Sequence, residues 1–300
     1  MAKAIRRLGC DRIESALECL KDLGRVDAIH CARKDIKKTR AVLRVVRASI
    51  EKNDFRRLTK LLRDAARQLA APRDACVKEN TLKALTAHFK GQLKAEALRQ
   101  VRSDLHRIAE EEMQRFSEEK MVRKIKRVLS RTAKKIECLD INGKGWNAIG
   151  SGVMAAYSEG RRACEMALHD SSPEIFHDWR KRAKDLWYQV SLLHPIWPEQ
   201  MDALARELET LGEYLGDDHD LFVLHQFVRE RCAQDTDLRE LEILYALIGQ
   251  RQRELRVAAI ALGKRFYADK PSAFCDRLAS YWHTWRREKR SSARSMEAAP

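Results

Sequence analysis

Two segments of the sequence carry a histidine, an arginine and a lysine at the same spacing, in the order His-x-x-Arg-x-x-x-Lys. The residues are His30, Arg33 and Lys37 in the first segment, and His177, Arg180 and Lys184 in the second. Arginine presents a planar fork of N–H donors that matches phosphate oxygens, lysine adds a compact charge, and histidine donates from either ring nitrogen. This combination predicts a site that binds a polyanion.

The first segment lies in a helix that the sequence predicts from about Val26 to Ile50. At about 100° per residue, an arc of about 80° contains the first stripe, which is His30, Arg33, Lys37, Arg40 and Arg44. Lys34 and Lys38 flank it, and apolar residues on another face predict the core contact. Adjacent like charges repel by roughly a few tenths of a kcal/mol per pair, which a bound anion would relieve. A plain solvated basic face is the alternative.

The second stripe is shorter and consists of His177, Arg180, Lys181 and Lys184. Trp187 stands where the first stripe has Arg40, and Ser191 stands where it has Arg44. We expect Trp187 to pack in the core rather than to stack on a ligand. The helix that contains His30 should therefore make more contacts with a polyanion than the helix that contains His177.

Two further groups of cations are weaker candidates. Arg161 and Arg162 lie one predicted helix before the second stripe. Another helical stripe is formed by Lys120, Arg123, Lys124, Arg127, Arg131 and Lys134. Its pattern is as typical of an exposed, solvated helix as of a binding site.

The elements that must position these side chains are helices. Apolar residues recur at three- and four-residue spacing nearly throughout, and no alternating β-branched run is bounded by turn signals, so we expect an all-α fold. Glycines are concentrated near the middle of the chain. The expected organisation is a single domain at 1–290, repeats at 1–140 and 153–290, a junction at 141–152, and a disordered tail at 291–300.

The two repeats are recognised by residues that recur in register. His30 and His177 are 147 positions apart, and Leu69 and Leu215 are 146 positions apart. One residue of slip over this length indicates two tandem copies of one helical unit.

Positive charge is concentrated in the first half. The formal net charge is +15; residues 1–146 carry 37 Lys and Arg against 20 Asp and Glu, a net +17, whereas residues 147–300 carry 22 against 24, a net −2. An excess of this size points to a polyanionic partner, such as polyphosphate, nucleic acid or an anionic membrane surface. The charge alone does not choose among them.

The composition of the chain indicates the cellular compartment in which we expect the protein. No apolar run approaches the roughly 20 residues that a membrane-spanning helix needs, and the first residues lack a signal-peptide core, so we expect a cytoplasmic protein. No single helix joins a basic face to an exposed bulky apolar face, so we expect no membrane partner. Eight cysteines without a CxxC pair favour free thiols in a reducing compartment.

These motifs resemble those of the CHAD family, a helical domain named for its histidines. The segments that carry the resemblance are the two His-x-x-Arg-x-x-x-Lys runs, Arg73-Asp74 before Val77, Tyr157–Ala163, Leu215–Asp220, Lys270–Phe274 and Tyr281–Trp285. The resemblance covers nearly the whole chain. It implies two four-helix bundles related by pseudo-twofold symmetry around a basic central channel, binding of inorganic polyphosphate, and recruitment to polyphosphate granules.

The resemblance also implies a set of binding residues. Carried over by position, they are His30, Arg33, Lys37, Lys38 and Arg40, and His177, Arg180, Lys181 and Lys184. Trp187 departs from the symmetry of this set. Many family members carry a second, triphosphatase domain with an ExExK strand motif, which is not found in this sequence. We therefore expect a non-catalytic binding domain that uses no cofactor and no metal.

Two rival functions are left open. Nucleic-acid phosphates would satisfy the same cations, although no helix-turn-helix or zinc-finger pattern is present. A metal-dependent phosphohydrolase is suggested by His-Asp pairs at 169–170, 177–178 and 219–220. Adjacent side chains on a helix point about 100° apart, however, and the cations beside His177 would repel a dication.

Overall fold

The computed structural model describes residues 2–21, 26–92, 98–116, 119–231 and 238–297. These residues form eleven α-helices and contain no strand, which confirms the predicted all-α fold. The helices are α1 (Ala2–Cys19), α2 (Val26–Val45), α3 (Lys52–Gln68), α4 (Ala71–His88), α5 (Arg99–Phe116), α6 (Glu119–Glu137), α7 (Gly150–His169), α8 (Pro173–Leu192), α9 (Pro198–Arg231), α10 (Leu238–Phe266) and α11 (Pro271–Glu297).

The first bundle consists of α1, α2, α3 and α6, each packed against its two neighbours in a ring. The apolar face predicted on α2 is buried, since Ala32, Ile36 and Leu43 are each at most 1% exposed. Leu58 and Leu62 of α3 complete this part of the core. Burying one face of α2 fixes the direction in which its charged face points.

The second bundle consists of α7, α8, α9 and α10, and α11 packs against α7. Trp179 of α8 is fully buried in its core. Tyr157 of α7 stacks on Phe274 of α11 at 4.1 Å between ring centroids. Its hydroxyl lies 3.2 Å from the carbonyl oxygen of Phe266 and 3.1 Å from that of Asp269. These contacts fix α7 to the connection between α10 and α11.

Helices α4 and α5 pack together beyond the two bundles, and α4 also packs against α9 and α10. They share with those helices a separate apolar cluster that includes Leu82, Leu105, Leu224 and Leu244. The 34-residue α9 takes the place that α3 and α4, with 17 and 18 residues, take in the first half. The two halves are thus also joined through a third packing region that the sequence did not predict.

The bundles meet where α2 contacts α7 and α8. Helix α7 begins at Gly150, inside the segment 141–152 that we expected to form the junction. A Cβ atom at Gly152 would overlap the backbone of Val45, so this glycine permits α7 to cross closely over the end of α2. Gly143 and Gly145 take left-handed φ angles of 86° and 61°, which glycine adopts without steric cost.

The end of the chain differs from expectation. We expected residues 291–300 to lack regular structure, whereas α11 continues to Glu297. The segment after Arg290 has no glycine or proline before Pro300, and the loss of apolar periodicity does not by itself end a helix. The pattern used to place the boundary therefore carried no signal there.

The expectation of free thiols throughout is wrong for one pair. Cys19 at the end of α1 and Cys31 of α2 form a disulfide with a Cα–Cα distance of 6.1 Å. Free cysteines are Cys10, Cys138, Cys164 and Cys275. Cys232 lies outside the described residues, and so does the side chain of Cys76. The spacing of Cys19 and Cys31 matches no motif, because the pairing depends on how α1 packs against α2.

Candidate polyanion-binding groove

Helices α2 and α8, which carry the two stripes, contact each other across the interface between the bundles. Arg44 of α2 forms an ion pair with Asp185 of α8. Burial lowers the pKa of Lys184, and the charges of Arg180 and, more weakly, of Lys34 on α2 lower it further. The two stripes therefore face one space, which we call the α2–α8 groove.

Helix α9 forms the wall behind the second stripe. His177 stacks on His219 with 4.0 Å between ring centroids. A Cβ atom at Gly212 would lie 2.8 Å from Cε of Lys184, and one at Gly216 would lie 3.5 Å from Nε of Arg180. The missing side chain at Gly212 thus lets Lys184 lie directly against the backbone of α9.

Helix α3 forms the corresponding wall behind the first stripe. Arg33 donates a hydrogen bond from Nη1 to the carbonyl oxygen of Ala66 at 2.8 Å. Ala66 and Gly212 are 146 positions apart, the same offset that relates Leu69 to Leu215. Each stripe therefore lies against the helix that follows it, at equivalent positions of the two repeats.

Burial changes the protonation of the groove residues. It lowers the pKa of Arg40, and the neighbouring charge of Arg63 on α3 lowers it further. It also lowers the pKa of His177 and of His219 to about 4, with further lowering by nearby cations, Lys181 foremost for His177. At neutral pH both imidazoles are therefore uncharged, so the positive charge of the groove comes from arginine and lysine.

Three groove residues have buried nitrogen atoms without a hydrogen-bond partner among the described residues. They are Nε of Arg40, Nε of Arg180 and Nδ1 of His177. A buried polar group left in this state costs about 1–3 kcal/mol. A ligand that brings acceptor oxygens into the groove would relieve that cost once these side chains turn toward it.

Several predicted site residues have protein partners. Asp35, which is 4% exposed, lies 3.5 Å from Nζ of Lys38 and accepts a hydrogen bond from Ser15. Lys181 lies 3.8 Å from Asp178. His30, Lys34 and Lys37 are exposed on α2. Lys38 is thus drawn toward α1 by Asp35, away from the direction that the stripe alone suggested.

The two arginines of α7 are placed differently from the stripes. Arg161 binds Glu165 at 3.1 Å and donates to the carbonyl oxygen of Asp269 at 3.0 Å, next to the start of α11. Arg162 is exposed on α7. The structure gives Arg161 a role in holding α7 to the α10–α11 connection.

Arg44 lines a cavity of about 180 Å³ at the α7 side of the groove. The other charged residues of this cavity are Arg47, Glu159, Arg182 and Asp185. Glu159 pairs with Arg182, and Asp185 pairs with Arg44. Burial lowers the pKa of Arg44 to about 10, so it stays protonated at neutral pH. The charge of Arg44 is balanced by Asp185, so we expect Arg44 to position α2 against α8 rather than to hold an anion.

The sequence did not identify the residues that support the stripes. The run Leu215–Asp220 was recognised, but the contacts of Gly212, Gly216 and His219 with α8 were not. Gly212 and Gly216 are one helical turn apart, and that spacing on a long helix was the available signal. The side chains of Arg73, Asp74 and Lys120 lie outside the described residues.

The His-Asp pairs do not converge on a metal-binding geometry. Asp178 lies 3.3 Å from Nε of Arg182 and also pairs with Lys181, while His177 stacks on His219. Among the described residues, ligand atoms with metal-site spacing occur at Cys19, Cys31 and Asp35. That cluster lies between α1 and α2 and includes the disulfide.

The part of the chain that the structure describes has no helix long and apolar enough to cross a membrane.

Comparisons with known proteins agree with the fold. A family model described as CHAD domain matches residues 7–229. Among solved structures, the chain is similar to PptA from Streptomyces chartreusis, with a TM-score of 0.62 and 14% sequence identity. The similarity covers 90% of this chain and 99% of that one. At this identity it concerns the fold alone. No curated protein sequence matches the chain.

Proposed function

This chain belongs to the CHAD domain family, and we propose that it binds inorganic polyphosphate in the α2–α8 groove without catalysing a reaction. The family is generally associated with polyphosphate. The strongest support is the set of unpartnered buried nitrogens on Arg40, Arg180 and His177. Phosphate oxygens accept hydrogen bonds from such groups and neutralise the charges that surround them.

The proposed contacts come from both stripes. They are His30, Arg33, Lys34, Lys37 and Arg40 on α2, and His177, Arg180, Lys181 and Lys184 on α8. Arg44 contributes as a positioning residue, because its ion pair with Asp185 joins the two helices. Lys38 and Arg161 contribute less, because Asp35 and Glu165 already balance their charges.

The groove suits a phosphate chain better than single-stranded nucleic acid. Single-strand binders combine basic grooves with aromatic rings on which bases stack. Trp187 follows the second stripe on α8, but it is half-buried, and Nζ of Lys184 lies 4.8 Å above its ring. Its face is therefore occupied by a protein cation rather than open to a base.

Carboxylates near the second stripe support binding rather than hydrolysis. Phosphohydrolases that use metal ions need carboxylate or imidazole ligands that converge on one point. Here Asp178 is paired with Lys181 and Arg182, and Asp185 is paired with Arg44. We propose that these carboxylates orient the cations instead of holding a metal.

Replacing Arg33 and Lys37 together with alanine tests this proposal. Each side chain supplies a charge-assisted contact, so the affinity for polyphosphate should fall by about tenfold or more at fixed salt, which corresponds to about 1.4 kcal/mol. Affinity is measured by titration at several ionic strengths. The matched control replaces Arg99 and Arg102, two exposed cations of α5, and should bind like the wild type. Unchanged affinity of the groove variant would place the site elsewhere.

Nucleic acid is the second candidate ligand, and a competition separates the two. Polyphosphate should displace duplex DNA from the protein far better than DNA displaces polyphosphate at equal phosphate concentration. If DNA wins, the groove serves nucleic-acid phosphates and the polyphosphate proposal is wrong.

We further propose that this binding brings the protein to polyphosphate granules in the cytoplasm. A tagged chain should co-localise with granules in cells that make polyphosphate and should be diffuse in cells that cannot. The Arg33 and Lys37 double variant should be diffuse in both. A punctate distribution without polyphosphate would contradict the proposal.

A further inference from the structure

Helix α3 presents a stripe of cations on the side opposite its buried face. The stripe consists of Arg56, Lys60, Arg63 and Arg67, all of them exposed. At about 100° per residue they share an arc of about 60°. The buried residues Leu58, Leu62 and Ala65 lie on the other side of the helix.

These cations have no balancing partners in the described part of the protein. None of the four side chains forms an ion pair or a hydrogen bond with a described residue. Exposed cations elsewhere do, as Lys83 does with Glu79, and Arg107 with Glu111. Like charges at this spacing destabilise a helix. Asp64 is the one carboxylate beside this stripe, and it lines the same surface pocket as Arg56 and Lys60. Four cations against one carboxylate leave this side of α3 with a net positive charge.

Helix α6 adds a second set of exposed cations beside the stripe of α3. Helices α3 and α6 are neighbours in the first bundle. The exposed cations of α6 are Arg123, Lys124, Arg127, Arg131 and Lys134. Its buried residues Val122, Ile125 and Leu129 face the core. The sequence left the meaning of the α6 stripe open, and the structure places it next to the stripe of α3. We call the nine cations together the α3–α6 face.

The α3–α6 face is continuous with the groove. The charge of Arg63 acts on Arg40, a groove residue, and lowers its pKa after the larger effect of burial. Ala66 of α3 accepts the hydrogen bond from Arg33 of the first stripe. One side of α3 thus forms the wall of the groove while its outer side carries exposed cations, about 16 Å from Arg56 to Arg67 at 1.5 Å per residue.

We propose that the α3–α6 face binds the part of a long polyphosphate chain that extends beyond the α2–α8 groove. This inference rests on the proposed function. A long chain held in the groove has further phosphates that carry negative charge, and its continuation past Arg40 meets Arg63 first. Tethering by the groove raises the effective concentration of those phosphates at the face, so weak exposed contacts add to the affinity. A chain too short to leave the groove gains nothing from them.

Replacing Arg56, Lys60, Lys124 and Arg127 with alanine tests the face. All four are exposed, and alanine favours the helix, so the fold should persist. Affinity for long-chain polyphosphate should fall several-fold, and its dependence on salt should become shallower, because fewer counterions are released. Affinity for tripolyphosphate should stay at the wild-type value. The control replaces four exposed cations away from the face, Lys83, Arg99, Arg102 and Arg107, and should change neither affinity.

The outcomes separate this inference from the proposed function. Unchanged affinity for the long chain, or an equal loss for both chain lengths, overturns the α3–α6 face as a chain extension site. A variant that loses duplex DNA binding but keeps long-chain polyphosphate binding overturns it in favour of nucleic acid. Failure of the proposed function would give a different result, because the wild-type protein would then bind neither tripolyphosphate nor the long chain.

Discussion

His177 and His219 stack on each other beside Arg180 and Lys181, where each added positive charge is costly. Burial, followed by these neighbouring charges, holds the pKa of both imidazoles at about 4, below the ordinary value of 6.5. Between about pH 6.5 and pH 4, these two histidines are therefore protonated in the unfolded chain but neutral in the folded chain. Where the unfolded state binds more protons, the free energy of unfolding falls as the pH drops. The fold should therefore lose stability between about pH 6.5 and about pH 4.

The test is urea unfolding between pH 4 and 8. The free energy of unfolding should be insensitive to these histidines above about pH 7 and should fall as the pH drops from about 6.5 to about 4. Replacing His177 and His219 with glutamine should remove part of that fall. Asp217 and Asp218 have raised pKa values and act in the opposite direction, so the comparison must be made between variants. The control replaces His106, which is exposed; identical pH profiles of wild type and double variant would contradict the argument.

At the scale of helices, local patterns were predictable and contacts between distant segments were not. The burial of Ile36 and Leu43 follows from three- and four-residue spacing, which a single helix determines by itself. The pairing of Arg44 with Asp185 depends on how α2 meets α8, and no local pattern records it. The close crossing at Gly152 is of the same kind. The stripes could therefore be predicted from sequence, but the walls that support them could not.

The disulfide between Cys19 and Cys31 joins α1 to α2 one residue after His30. It closes a loop with a sequence separation of 12, which should stabilise the fold by about 2–3 kcal/mol. Replacing both cysteines with serine should lower the free energy of unfolding by that amount under oxidising conditions. Adding a reductant should bring the wild type to the level of the variant. Equal stability of the two proteins without reductant would show that the sulfurs are not bonded in solution.

At the scale of the whole molecule, two similar halves carry unequal charge. The first half has a net +17 and the second a net −2. Both the longer stripe and the α3–α6 face belong to the first half, while Asp178 and Asp185 lie beside the second stripe. The ion pair between Arg44 and Asp185 reduces the charge difference between the two halves without removing it. A polyanion bound in the groove should therefore be held mainly by the first bundle.

Trp187 is where the second stripe departs most clearly from the first, because the equivalent position of α2 is Arg40. If unequal charge limits binding, replacing Trp187 with arginine should tighten polyphosphate binding several-fold by adding a donor beside Lys184. The control is Trp187→Gln, which removes the same aromatic contact without adding charge and should bind no tighter than the wild type. Both variants should lose similar stability in thermal unfolding, since both remove a half-buried ring. An arginine variant that is as stable as the glutamine variant yet binds no tighter would show that position 187 does not face the bound chain.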